Sequence, residues 1–334
     1  MSAFLVCGVA GHELDEGERA LLRELRPGGI VLFARNVADR AQLLALAAEL
    51  RALPSRPYLA TDLEGGRVNR LEGLIGPLPS AAEAARAGPA AVRALGEAAG
   101  AACAHFRIGV DFAPVVDVAR PDGWFGGEAR CLGATEESVV AAATGYLQGL
   151  ESAGVAACLK HYPGLGSGKV DSHRDLPLLD EGAERDSRVF HALVSPGRGV
   201  MIAHALAPAL GEAVSPASLS RTVVSRLRRP ECGPLIADDL EMGALSGFGS
   251  IPERAAAALG AGCDQVLVCN ALDVRADVVA YVERASARDP ALGAALRSAE
   301  LRSAAFARRE PAEVGWDRVL AAAERARSLA GGAA

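Results

Sequence analysis

Three short stretches of this sequence concentrate groups able to bind polyols, move protons and attack carbon. The first, Thr61 to Arg70 (TDLEGGRVNR), sets two acids and two arginines around a glycine pair. An ionised Asp accepts two sugar hydroxyls at once, and an Arg holds a carboxylate or an equatorial oxygen in a forked contact. Taken alone, the stretch also reads as a salt-bridged turn. The second, Lys160 to His173 (KHYPGLGSGKVDSH), is rich in glycine and poor in apolar residues, which predicts a mobile, surface-lying loop. Asp171 and His173 at its far end are close enough to pair. An acid partner raises an imidazole's pKa and fixes its tautomer, so His173 could give and then take a proton near neutrality. The third, Pro234 to Met242 (PLIADDLEM), ends an apolar run on two acids. Side chains alternate along a strand, so one of Asp238 and Asp239 should face a pocket while the other braces loops or caps a helix. An inward carboxylate there suits covalent attack on an anomeric carbon.

All three stretches begin where an apolar run stops, and so do other polar residues. Asp62, Asp117, Lys160-His161, His204, Asp238 and Asn270 each follow such a run. The runs predict strands over Phe4–Val9, Gly29–Phe33, Pro57–Thr61, Val110–Val116, Val155–Leu159, Gly199–Ala203, Pro234–Ala237 and Gln265–Cys269. They are continuous rather than alternating, as in strands buried on both faces. Helices are predicted between them, among others over Arg40–Leu53, Ala81–Phe106, Glu136–Ser152, Pro216–Leu227 and Pro252–Leu259, with caps at Thr135 and at Ser215-Pro216. Eight strand-helix repeats argue for a parallel (β/α)8 TIM-type barrel, a single domain over residues 1–334 with a helical C-terminal extension after about residue 290. In such a barrel the polar strand ends converge on one face. An open doubly wound sheet is the runner-up, but no G-x-G-x-x-G follows the first strand.

Composition narrows the partners. The 334 residues carry 35 Lys+Arg against 41 Asp+Glu, a net charge of −6, and 50% are hydrophobic, which argues against disorder and against a nucleic-acid surface. No apolar run reaches the ~18 residues that would span a bilayer, so no membrane partner is expected. The N-terminus reads as a first strand and helix rather than a signal peptide. Seven scattered cysteines without C-x-x-C read as buried thiols in a reducing cytoplasm. Asp171-x-His173 lacks a third metal ligand at suitable spacing, so no metal is expected, nor is a nucleotide or flavin cofactor.

Together the motifs resemble family 3 glycoside hydrolases, and within them the bacterial β-N-acetylglucosaminidases (β-N-acetylhexosaminidases) of peptidoglycan recycling. The family's pattern D-x-E-G-G-R-V-x-R reads here as Asp62 to Arg70, and F-A-P-V-x-D-V as Phe112 to Val118. K-H-[FIY]-P-G-x-G-x4-D-S-H spans Lys160 to His173, S-D-D-L-x-M spans Ala237 to Met242, and A-G-x-D-x-x-L-x-C-N spans Ala261 to Asn270. The departures are Leu63 for the common Gln, Leu165 for the common His and Ala237 for the common Ser; none removes a reactive group.

The resemblance implies that Asp238 is the catalytic nucleophile and His173 the general acid/base, with Asp171 its dyad partner. It implies substrate binding by Asp62, Arg70, Lys160 and His161, and by Arg130 within Gly127–Cys131. The implied reaction is retaining removal of terminal β-linked N-acetylglucosamine from muropeptide fragments, by a cytoplasmic enzyme expected to be a monomer. Alternatives are a broader β-glycosidase of the same family, a catalytically silent sugar-binding protein, an acetamido-assisted mechanism, and a Schiff-base lyase using Lys160.

Overall fold

Eight parallel strands close into a barrel in the computed structural model, which describes residues 2–307 and 310–331. They are β1 Ser2–Gly8, β2 Pro27–Leu32, β3 Tyr58–Thr61, β4 Val110–Asp111, β5 Ala156–Tyr162, β6 Gly199–Ile202, β7 Leu235–Asp239 and β8 Gln265–Val268. Each pairs with its sequence neighbours, and β8 closes on β1. Every predicted strand is present, and the runner-up open sheet is excluded by this closure. The fourth is shorter than predicted: Pro114 has no N–H to give the ladder, and beyond Asp111 only Val115 bridges β5.

The outer ring contains α1 (Glu16–Leu25), α2 (Arg40–Arg51), α3 (Ala81–Ala87), α4 (Pro89–His105), α5 (Glu136–Glu151), α6 (Ala183–Leu193), α7 (Arg221–Leu227), α8 (Ile251–Ala261) and α9 (Arg275–Arg288). The helix predicted over 81–106 is two, because Gly88 sits at φ 107° and Pro89 starts afresh at a first-turn position. Thr135 caps α5 as predicted, accepting from the Ser138 N–H at 3.2 Å. Ser215-Pro216 caps no α-helix. A 3₁₀ turn over Ala217–Leu219 follows it, and Ser220 supplies the cap of α7 by accepting from the Val223 N–H at 3.3 Å. The alanine richness serves close packing: Gly96 of α4 lies against the Tyr146 carbonyl of α5, where any Cβ would collide.

The C-terminal extension is helical, with α10 (Pro290–Ala307) and α11 (Trp316–Gly331). α11 packs on α3 and α4, and Phe306 of α10 reaches the barrel's base, stacking edge-on against Tyr58 at 5.3 Å between ring centroids. That ring closes the end where strands begin. The interior above it is filled by Val6, Val31, Ala60, Val110, Ile236 and neighbouring side chains, so the barrel is a packed core.

Candidate active site

Above that core, the strand ends surround a cleft of about 420 Å³. Asp62 leaves β3 and a short antiparallel hairpin follows, pairing Leu63–Gly65 with Val68–Asn69. The peptide between Asp62 and Glu64 is clamped from below. Asp111 Oδ1 accepts from the Leu63 N–H at 2.9 Å, and the Tyr146 hydroxyl donates to the Leu63 carbonyl at 2.9 Å. Two acids thereby reach one cation: Lys160 Nζ lies 2.7 Å from Asp62 Oδ1 and 2.7 Å from Glu64 Oε1. Arg130 forks onto the other face of Glu64 with two contacts of 2.8 Å and lies over the Phe125 ring. Arg70 stands 3.8 Å from Asp62 Oδ2.

His161 follows Lys160 on β5, and Asp117 fixes it. Its Nδ1 lies 2.8 Å from Asp117 Oδ2, while Asp117 Oδ1 accepts from the His161 and Leu165 backbone N–H groups at 3.1 and 2.7 Å. A carboxylate accepts only, so Nδ1 carries the proton and Nε2 is left for a ligand. The loop beyond was expected to be mobile and surface-lying; its first half is neither. Residues 161–168 are buried, and Gly166 packs so tightly on the Val118 carbonyl that no Cβ fits. Only at Lys169 does the chain emerge, and it is soon tied down again. The His173 and Ser172 carbonyls accept from the N–H groups of Gly243 and Ala244 at 3.0 and 3.2 Å. These bonds hold the loop against the segment that follows β7. Asp171 Oδ1 accepts from the His173 N–H at 3.0 Å and lies 2.9 Å from its Nδ1, leaving an imidazole that is 68% exposed.

On β7 the alternation argument fails for a local reason. Val266 of β8 pairs with Ala237 but Leu267 with Asp239, so Asp238 is an extra, bulged residue. Both Asp238 and Asp239 consequently line the cleft. Asp239 also braces, accepting from the Glu241 N–H at 3.3 Å. His204, at the end of β6, holds this turn: its Nε2 lies 2.9 Å from the Asp239 carbonyl and its Nδ1 2.7 Å from Ser218 Oγ. A carbonyl only accepts, so the proton sits on Nε2.

Electrostatics divide the acids into two kinds. Burial acts to raise the Asp238 pKa, but the His161 and His204 imidazoles and then the Asp239 N–H outweigh it and hold the group below its ordinary value. Asp239 is pushed up to about 7 by burial, helped by the charges of Glu241 and Asp238. One of two adjacent carboxyls therefore stays ionised while the other keeps a proton near neutrality. Glu64 would be raised by burial, yet Lys160 and Arg130 hold it well below the carboxylate range. Burial would lower Lys160, but Asp62 and Glu64 keep it charged far above its usual range. A Schiff base needs the neutral amine, so this setting disfavours the lyase reading.

Burial raises Asp111 to about 7. The Leu63 N–H, the Lys160 charge and the Tyr146 hydroxyl that donates to Asp111 Oδ2 at 3.1 Å act against this rise without cancelling it. The folded chain thus holds this proton to about pH 7, whereas the unfolded chain releases it near its ordinary 3.8. Its contribution to stability is complete below that lower value and is lost as pH rises towards 7. The slope is up to about 1.4 kcal/mol per pH unit. Asp111→Asn keeps both hydrogen bonds without titrating. Urea unfolding at pH 5, 6, 7 and 8 should show a flatter stability profile in the variant, with parallel profiles contradicting the protonated form.

The structure brings together all eight residues singled out in the sequence. Asp62, Arg70, Arg130, Lys160, His161, Asp171, His173 and Asp238 line one cleft. Sequence reasoning passed over Glu64, whose charge looked like part of a turn, and the bracing roles of Asp111, Tyr146, Asp117 and His204. Asp111 did leave a signal, being an acid inside the apolar run Val110–Val116.

Residues 5–297 match the family model for the glycosyl hydrolase family 3 N terminal domain. A beta-hexosaminidase of Methylococcus capsulatus is 37% identical over 291 residues, covering 84% of this chain and 86% of that one. Among solved structures, M. tuberculosis LpqI superposes with a TM-score of 0.82 at 31% identity, covering 93% of each chain. NagZ from Neisseria gonorrhoeae, in complex with N-trifluoroacetyl-D-glucosamine, gives a TM-score of 0.78 at 28% identity, covering 100% of this chain and 98% of that one.

Proposed function

The chain belongs to glycosyl hydrolase family 3, and from that membership we propose that it is a retaining β-N-acetylhexosaminidase that removes terminal β-linked N-acetylglucosamine. One observation carries the reading: a half-buried carboxylate held ionised, Asp238, shares a cleft with an exposed imidazole, His173, whose Nδ1 is engaged by Asp171. In the first step the His173 Nε2 proton passes to the glycosidic oxygen as that oxygen leaves C1, and Asp238 forms the bond to C1. In the second, neutral His173 takes a proton from water, the water oxygen attacks C1, and Asp238 leaves as carboxylate. Two inversions give net retention. Asp62, Arg70, Arg130, Lys160 and His161 bind the sugar, the Lys160 ammonium and Asp62 carboxylate meeting its hydroxyls from the ends of β5 and β3.

The substrates we infer are peptidoglycan-derived fragments ending in N-acetylglucosamine, met in the cytoplasm by a monomer that uses residues 1–334 as one catalytic unit. Seven free, buried cysteines fit a reducing compartment. The Methylococcus relative and the N-trifluoroacetyl-D-glucosamine held by Neisseria NagZ support the sugar class.

The test is turnover of aryl β-glycosides with and without the 2-acetamido group, using leaving groups of graded acidity. Turnover should require the acetamido sugar. His173→Ala should lose ~10² to 10⁴-fold with a poor leaving group and far less with an acidic one, which needs little protonation. A loss independent of leaving group would remove His173 from the acid role.

A further inference from the structure

A cavity of about 870 Å³, roughly twice the cleft's volume, opens at the opposite end of the barrel, beside the first residues of β2, β3 and β8. Four arginines line it: Arg26, Arg51, Arg56 and Arg107. Arg26 and Arg107 stand just after α1 and α4, and Arg56 lies in the loop between α2 and β3. All three are held in the left-handed region, at φ 53°, 46° and 58°. Among the described residues only one other non-glycine, Ala129, has a positive φ. Glycine adopts this conformation at lower cost and is the usual residue there. Three chain turns therefore spend backbone strain to send guanidinium groups into one space.

The polar groups of this space are incompletely used. Arg51 is paired with Glu310 at 2.6 Å, and Arg107 with Glu313 at 3.0 Å. Glu300 is the second carboxylate in the lining. Arg26 and Arg56 make no side-chain hydrogen bond or ion pair to any described residue, and Arg26 Nε is buried without a partner. Ser303 is only 4% exposed, yet its hydroxyl has no partner among the described residues, and the same holds for the buried Ser55 hydroxyl. Buried polar atoms are ordinarily hydrogen-bonded, so several orphans around one cationic cavity mark a place built for a ligand.

We propose that this cavity is a second binding site, for a small phosphate-bearing molecule of charge −2 or more. Planar guanidinium forks match phosphate oxygens two at a time, and the serine hydroxyls would donate to the remaining ones. The volume suits a ligand between a sugar phosphate and a nucleotide in size. Arginines at helix C-termini also offset the helix dipole, but that role asks neither for convergence nor for orphaned serines.

The test is calorimetric titration of the full chain with pyrophosphate, and with citrate as a carboxylate of similar charge. The variants are Arg26→Gly, Arg56→Gly and the pair. Glycine relaxes the left-handed turns, so the unliganded Tm should hold or rise, and aryl-glycoside turnover without pyrophosphate should be unchanged. Wild type should bind one pyrophosphate, and each substitution should weaken it by about ten-fold or more. Absence of saturable binding, or equal affinity in the double glycine variant, would overturn the site. Citrate binding as tightly as pyrophosphate would overturn the phosphate assignment.

Discussion

Asp238→Asn should lower kcat by about 10⁴-fold or more while leaving the fold intact. The amide is isosteric, but it removes a charge that the surrounding groups favour over the cost of burial, so Tm should fall modestly. What disappears is the oxygen that would bond to C1. A 2-fluoro sugar should leave a covalent adduct on residue 238 of the wild-type chain and none on the variant, read by intact mass and peptide mapping. The rival in which the substrate's own acetamido oxygen attacks predicts no enzyme adduct. Near-normal turnover by the Asn variant would end the nucleophile assignment.

The second large effect concerns the cation on which two acids converge. Lys160→Met fills similar volume but leaves Asp62 and the inner oxygen of Glu64 without their ammonium. Lys160 and Glu64 are almost wholly buried, so the loss should be that of a broken interior pair, about 3 to 5 kcal/mol. Arg130 remains on Glu64, which places the expected value towards the lower end. Adding Asp62→Asn removes the carboxylate left without its ammonium and should recover part of the loss, a coupling readable in a double-mutant cycle by urea unfolding. Aryl-glycoside KM should also rise steeply in the single variant. A loss under about 1 kcal/mol would mean that water already screens the pair.

The barrel and the ring of reactive strand ends were legible in the sequence because both follow from local pattern. Continuous apolar runs give strands buried on two faces, and a polar residue just after each run falls at the same end of a parallel barrel. Asp62, Lys160, His161 and Asp238 could be picked out this way. One miss was local: Gly88 and Pro89 interrupt a helix that the alanine pattern continues. The others were set by contacts distant in sequence. The bulge at Asp238 depends on its register against Val266 and Leu267, which no periodicity within β7 encodes. The glycine-rich loop looked loose because glycine is permissive, yet Gly166 is there to let the chain approach Val118. Asp111 and Tyr146 lie 35 positions apart and meet only because α4 and α5 pack closely enough to bring the ring to β4.

The Phe306 ring at the base has a practical consequence for anyone cutting this molecule down. The match to the family model stops at residue 297, so a fragment trimmed to that boundary loses the barrel's floor. Tyr58 and the start of β6 at Gly199, now sealed beneath that side chain, would meet water. A piece meant to stand alone should run beyond 306, into sequence that the family model leaves out but the superposed NagZ structure covers.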